Sequence, residues 1–253
     1  MTDNYPNLIN APIEEAIVGF FFKKKSNSDF KPCNSNLTKE FPEQTPSIMR
    51  KIEVQYNVEE DAVEKTSSEH PGWTLRNDDD KIIMNIDDKS LRVHKLKPYK
   101  NWICLYKSLE LVKENYDDLF EYIDNPFIKY INKFEVDIIK WKDYLKIYPH
   151  LEDQNQYCPN LPELSIYESD TRFTLSSANA EEVAKIYIQL RPHSNSSLMV
   201  TIDIEITSTE TKILPSNSIK LVNIYNNLRN IKNQIFFSNI LKTEELFGHE
   251  KNI

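Results

Sequence analysis

Glycine is almost missing from this 253-residue chain: Gly19, Gly72 and Gly248 are the only three, and none lies near another. A loop that cradles phosphates needs closely approaching backbone amides and positive φ, which glycine supplies without steric cost. No mononucleotide or dinucleotide fingerprint is present, and classical nucleotide-binding chemistry is excluded. Cysteine is equally sparse. Cys33, Cys104 and Cys158 are odd in number and widely spaced, with no metal-ligand or redox spacing, which is the usage of a reducing compartment. Cys104, two residues after Trp102, reads as a small buried hydrophobe. The longest apolar run, Ala16 to Phe22, is about a third of the ~20 residues a membrane-spanning helix needs. The N-terminus shows no basic segment leading into an apolar core, so the expected location is the cytoplasm.

Positive charge is also in deficit, with 31 Lys and Arg against 39 Asp and Glu and a formal net charge of −8. Phosphate neutralisation needs clustered cations, so direct nucleic-acid binding is disfavoured. Lys23-Lys24-Lys25 and Asp78-Asp79-Asp80 read as a solvated strand end and a turn. His70, His94, His150, His193 and His249 include no i, i+4 pair and no His-x-His, so no metal site is expected. His94 is the one histidine expected within a strand. No Gly-x-Ser-x-Gly is present, and the chain implies no cofactor.

What is present is one pattern, said twice. Ile13 to Phe22 is apolar on both faces and reads as a central strand. Ser26 to Ser47 reads as a loop with one short helix anchored by Phe41. Ile52 to Tyr56 alternates as a strand, and Glu59 to His70 reads as an exposed acidic loop. Trp73–Arg76, Lys81–Ile86 and Leu91–Leu96 then form a meander joined by Asn- and Asp-rich turns. A helix follows over Asn101–Asp124. Trp102, Leu105, Leu109, Val112, Tyr116, Leu119 and Ile123 form its apolar stripe, Asn101 caps it and Pro126 stops it.

The second half repeats the order. Phe127 to Ile139 is a strand, Lys142–Tyr148 a short helical piece and Leu151–Pro162 a long connection. Strands follow at Arg172–Ser176, Lys185–Arg191 and Met199–Thr207. A second long helix covers Ser218–Phe247, with Leu221, Ile224, Leu228, Ile231 and Ile235 as its stripe. Ser216 or Ser218 is its expected cap and Gly248 its terminator. The expectation is an α+β fold made of two halves, 1–126 and 127–253, in one globular unit. Its pseudo-duplicated antiparallel sheet would have about eight strands and carry two long helices on one face, a saddle like that of the TATA-binding protein.

Such a sheet leaves one face free of helices. Asp203 and Glu205 project from the same side of one strand, about 6–7 Å apart by strand rise. Arg172, Gln189 and Arg191 stand on the expected neighbouring strands, and Tyr187 adds an aromatic anchor of the kind interfaces favour. These six are the candidate partner-binding residues. The same carboxylates could instead serve as an acid and base, making the face that of a metal-independent hydrolase or a small-ligand sensor.

Four short segments carry a resemblance. Pro12-Ile13-Glu14-Glu15-Ala16 looks like a Pro-x-x-Glu-Ala opening strand, and Pro98-Tyr99-Lys100-Asn101-Trp102 is similar to a Pro-Tyr-x-x-Trp helix entry. Tyr130-Ile131-Asn132-Lys133 resembles Tyr-Ile-Asn-Arg, and Glu245-Leu246-Phe247-Gly248 a closing Leu-Phe-Gly. In order and spacing they resemble a sporadically distributed bacterial family of uncharacterised proteins of similar length. Lys100-Asn101 stands where that pattern has Pro-Gly, and the stretch before Phe247 is compressed. The resemblance implies no catalytic residues. The family's patchy occurrence is that of genes travelling with mobile elements, toxin–antitoxin pairs or antiviral defence loci. The free sheet face, the missing cofactor fingerprint and the lack of a catalytic set make the chain, by expectation, a non-enzymatic interaction or regulatory protein of such a locus. Its acidic balance would suit another protein as partner, such as a basic effector or toxin subunit.

Overall fold

Alternating apolar residues on most strands, and helices with a single apolar stripe, require one sheet with its helices on one side. The computed structural model describes residues 8, 10–26, 35–57, 62–99, 101–137, 144, 169–194, 196–239 and 243–248. The elements are β1 (Ile13–Lys24), α1 (Ser35–Glu40), β2 (Glu43–Asn57), β3 (Ala62–Asn77), β4 (Ile82–Asp87), β5 (Ser90–Leu96) and α2 (Trp102–Tyr116). They continue with β6 (Phe120–Asp137), β7 (Ser169–Ser176), β8 (Glu182–Pro192), β9 (Ser197–Ser208), α3 (Ser218–Asn239) and α4 (Thr243–Phe247). The chain is an α+β fold built on one open antiparallel sheet of nine strands in the order β2-β3-β4-β5-β1-β6-β9-β8-β7.

That order has a centre. β1 and β6 pair antiparallel, Ala16 opposite Tyr130 and Val18 opposite Ile128. Moving outward, β5, β4 and β3 follow on one side, and β9, β8 and β7 on the other. Each wing therefore places its last strand beside its first.

Side-chain parity separates the two faces. Ala16, Val18, Phe20 and Phe22 of β1 turn to one side with Leu91 and Val93, Ile128 and Tyr130, and Val200, Ile202, Ile204 and Ile206, all buried. Leu105, Leu109 and Val112 of α2 and Leu221, Tyr225 and Leu228 of α3 complete that core. Each fully buried aliphatic or aromatic side chain contributes about 1.5–3 kcal/mol of transfer free energy, which is why both helices share one side of the sheet. Where they meet, Trp102 stacks on Tyr106 with ring centroids 5.6 Å apart, and both rings contact Tyr225. The buried Tyr225 hydroxyl donates to the Gly19 carbonyl at 2.9 Å.

Several boundaries differ from the sequence reading. The first long helix ends at Tyr116, a 3₁₀ turn covers Asp117–Leu119, and β6 begins at Phe120. Leu119 and Ile123 are buried as expected, but their spacing of four is a multiple of two and fits a strand as well as a helix. Pro126 lies within β6. With Asn125 (φ 46°) it occupies a bulge, where Gly19 faces Phe127 but Phe21 faces Asp124. From Ala62 onward the expected loop Glu59–His70 is strand, held in a fifteen-pair hairpin from Glu43 opposite Arg76 to Asn57 opposite Ala62. Ser67, Ser68 and Glu69 are exposed, so no apolar alternation marks this part of the strand in the sequence.

Asn101 caps α2 as expected, accepting from the Cys104 amide at 2.9 Å. Cys104 itself is exposed, not buried. It lies about 200° around the helix from Trp102 and faces away from the stripe. Asn217, rather than Ser216 or Ser218, caps α3 by accepting from the Lys220 amide at 3.1 Å. The expected Ser218–Phe247 helix is two, α3 and α4, and Gly248 follows at φ 67°. Most of the expected helical piece Lys142–Tyr148, and the connection Leu151–Pro162, lie outside the described residues. Tyr144 is helical and donates to Glu245 Oε1 at 2.9 Å. Among the described residues no helix is long and apolar enough to cross a membrane.

Candidate interaction face

The sheet face opposite the helices is built from the alternate residue of every strand. On β9 these are Met199, Thr201, Asp203, Glu205 and Thr207, and on β8 Val183, Lys185, Tyr187, Gln189 and Arg191. Asp170, Arg172 and Thr174 of β7 stand opposite Gln189, Tyr187 and Lys185. All six sequence-derived residues therefore share this face. Arg172 lies over the Tyr187 ring, 5.1 Å from its centroid. Gln189 donates to the Tyr187 hydroxyl at 3.0 Å and to Asp170 Oδ1 at 3.2 Å, and Arg191 pairs with Asp170 at 2.9 Å. The Arg191 guanidinium bond holds the Asp170 carboxyl below the usual carboxylate range.

Asp203 and Glu205 form a second group around a residue the sequence reading missed. Lys129 of β6 sits opposite Glu205, 2.8 Å from Asp203 and 3.9 Å from Glu205, and Lys185 approaches Glu205 at 3.9 Å. Lys129 bridges the two carboxyls, so the pair is arranged for salt bridging. From Lys129 outward this part of the face mixes both signs: Lys129, Lys133, Arg172, Lys185 and Arg191 stand among Glu135, Asp137, Asp170, Asp203 and Glu205.

The polar row continues across the centre into the other wing. Thr74 Oγ1 donates to Asn85 Oδ1 at 2.8 Å, and Asn85 Nδ2 donates to His94 Nε2 at 3.3 Å. His94 Nδ1–H then donates to Glu15 Oε1 at 2.7 Å. The hydrogen bond from His94 holds the Glu15 carboxyl below its ordinary value, with the Lys129 charge adding to the effect from the far side of the central strand pair. Polar contacts therefore run unbroken from β3 through β4 and β5 to Glu15 of β1. His94 has both ring nitrogens engaged and carries no free lone pair for base catalysis. Among the described residues no group of three or more His, Cys, Asp or Glu is placed to hold a metal ion.

This row has a pH signature. A carboxyl with a lowered folded pKa stabilises the fold above its unfolded value of about 4.3, and the contribution is lost as pH falls through the folded value. Glu15→Gln is therefore expected to be less stable than the native chain at pH 7, with the difference closing toward pH 3. Urea midpoints of both chains across that range measure it, and a difference independent of pH would exclude the linkage.

The four segments that carry the family resemblance converge at one place. Ala16 pairs with Tyr130 and Glu15 with Ile131, while the Tyr99 and Tyr130 hydroxyls lie 3.0 Å apart. Phe247 packs edge-on against Phe134 with centroids 5.1 Å apart, and its carbonyl accepts from the Asn10 amide at 2.9 Å. Lys232 sits over the Tyr130 ring at 4.3 Å. These contacts join one end of the central strand pair to the helix layer, a packing role.

No family model, no curated protein and no solved structure matches this chain.

Proposed function

We propose that this chain is a non-enzymatic interaction or regulatory protein of a bacterial defence locus, antiviral or toxin–antitoxin, acting in the cytoplasm. On this reading it binds a partner protein through the sheet face opposite its helices. The observation that carries the reading is the assembly on that face of Arg172, Tyr187, Gln189 and Arg191 with Asp170, beside the Lys129–Asp203–Glu205 group. Tyr and Arg anchors set in an ordered polar surround are the composition of binding hot spots. The defence setting rests on the resemblance alone. Attraction to a basic partner such as a toxin subunit would come from the acidic remainder of the chain, since this part of the face mixes both signs. Its ion pairs would set register and specificity instead.

A tagged chain recovered from its native host at low and high salt tests the reading. Capture of a stoichiometric partner is expected for the native chain and for Lys107→Ala, on the helix side. It should be lost with Tyr187→Ala combined with Arg172→Glu, at unchanged thermal stability. A chain that stays alone at both salts counts against the proposal. The hydrolase alternative, with Asp203 and Glu205 as acid and base, would instead require those carboxyls to be released from Lys129.

A further inference from the structure

Outside the docking residues, one cluster has a geometry that calls for chemistry. Ser68 and His70 stand two residues apart on the same side of β3, and Ser68 Oγ lies 2.9 Å from His70 Nε2. The other ring nitrogen, His70 Nδ1, lies 2.9 Å from Asp88 Oδ1. That contact lies off the ring N–H line, since Asp88 Oδ1 makes no hydrogen bond. Asp88 is held in a tight β4–β5 turn: Asp87 Oδ1 accepts from the Lys89 amide at 2.8 Å and the Ser90 amide at 2.7 Å. The pairing of Gly72 with Asp87 brings that turn beside His70. A carboxylate at Nδ1 favours the Nδ1–H tautomer, which leaves Nε2 as the acceptor for a serine proton. His70 is mostly buried, its side chain 12% exposed, and Ser68 is exposed to an incoming reagent.

We propose that Ser68 is a reactive nucleophile, activated by His70 beside Asp88, that is modified once by activated esters and does not turn over, which leaves the non-enzymatic reading intact. Ser68 pairs with Lys51 and is exposed to solvent on the strand, so charge developing on a bound electrophile is met by water. Reaction is therefore confined to electrophiles with good leaving groups. With a fluorophosphonate, Ser68 Oγ attacks phosphorus, the O–P bond forms and the P–F bond breaks. Fluoride leaves, and the serine proton passes to His70 Nε2 and then to solvent.

The test is labelling of the intact chain with a fluorophosphonate probe, read by whole-protein mass and peptide mapping. One adduct at Ser68 is expected, absent in Ser68→Ala. It should slow about 100-fold or more in His70→Ala and His70→Gln, and about tenfold or more in Asp88→Asn, whose turn position spares the sheet. No adduct at Ser68, or one forming at the same rate without His70, overturns the proposal. The cluster lies in the opposite wing from Arg172 and Tyr187, so this result is independent of partner capture.

Discussion

Gly19→Ala is expected to destabilise the protein by about 3 kcal/mol or more, a large effect for one methyl group. A Cβ at this position would lie 2.4 Å from the Leu91 carbonyl oxygen and 2.9 Å from Phe127 Cζ. The first contact is backbone and cannot move without parting β1 from β5, where Gly19 faces Arg92. The second is a ring that is itself buried and packed on Phe21, with centroids 5.8 Å apart. Gly19 also presents its carbonyl to Tyr225 from the other side of the sheet, so any shift of this strand disturbs the helix layer. Close approach, not positive φ, is what requires glycine here. A fall in urea midpoint with an unchanged m-value is the expected observation. A change within about 0.5 kcal/mol, as at a tolerant surface site, would mean that β1 and β5 are not in this register.

The second large effect is at the helix seam. Trp102→Ala is expected to cost about 3–5 kcal/mol, the range for truncating a buried aromatic. Trp102 is 7% exposed and contacts Tyr106, Tyr225 and the Arg229 guanidinium, the last at 6.0 Å from its ring. It therefore joins α2 to α3 as well as both to the sheet. Trp102→Phe keeps a ring in the seam and should lose under about 1.5 kcal/mol. Equal losses for the two variants, measured by chemical denaturation, would show that the seam is not packed around this ring.

The strands and helices were legible wherever one face is buried. β9 alternates cleanly from Met199 onward, and Val200, Ile202, Ile204 and Ile206 are buried as that pattern requires. Legibility failed where two periods coincide, at Leu119 and Ile123, and where a strand is polar throughout, as in the outer part of β3. The shared face of the six candidate residues followed from parity along single strands. Lys129 did not, because the register of β6 against β9 joins residues distant in sequence, such as Lys129 and Glu205, and nothing local specifies it. The Ser68–His70–Asp88 cluster stayed hidden for a related reason: Glu59–His70 reads as a loop, and only a strand sets Ser68 and His70 side by side.

The account rests on a sheet covered by helices on one face and open on the other, and thiol accessibility at two adjacent residues tests that most directly. In a background with Cys33, Cys104 and Cys158 replaced by serine, cysteine is placed at Lys185, whose side chain is 68% exposed, or at Ile186, 4% exposed. Lys185→Cys is expected to alkylate in the native state as fast as a free thiol. Ile186→Cys should react only on unfolding. Equal protection at both positions would mean that the proposed docking face is buried, and would contradict the account.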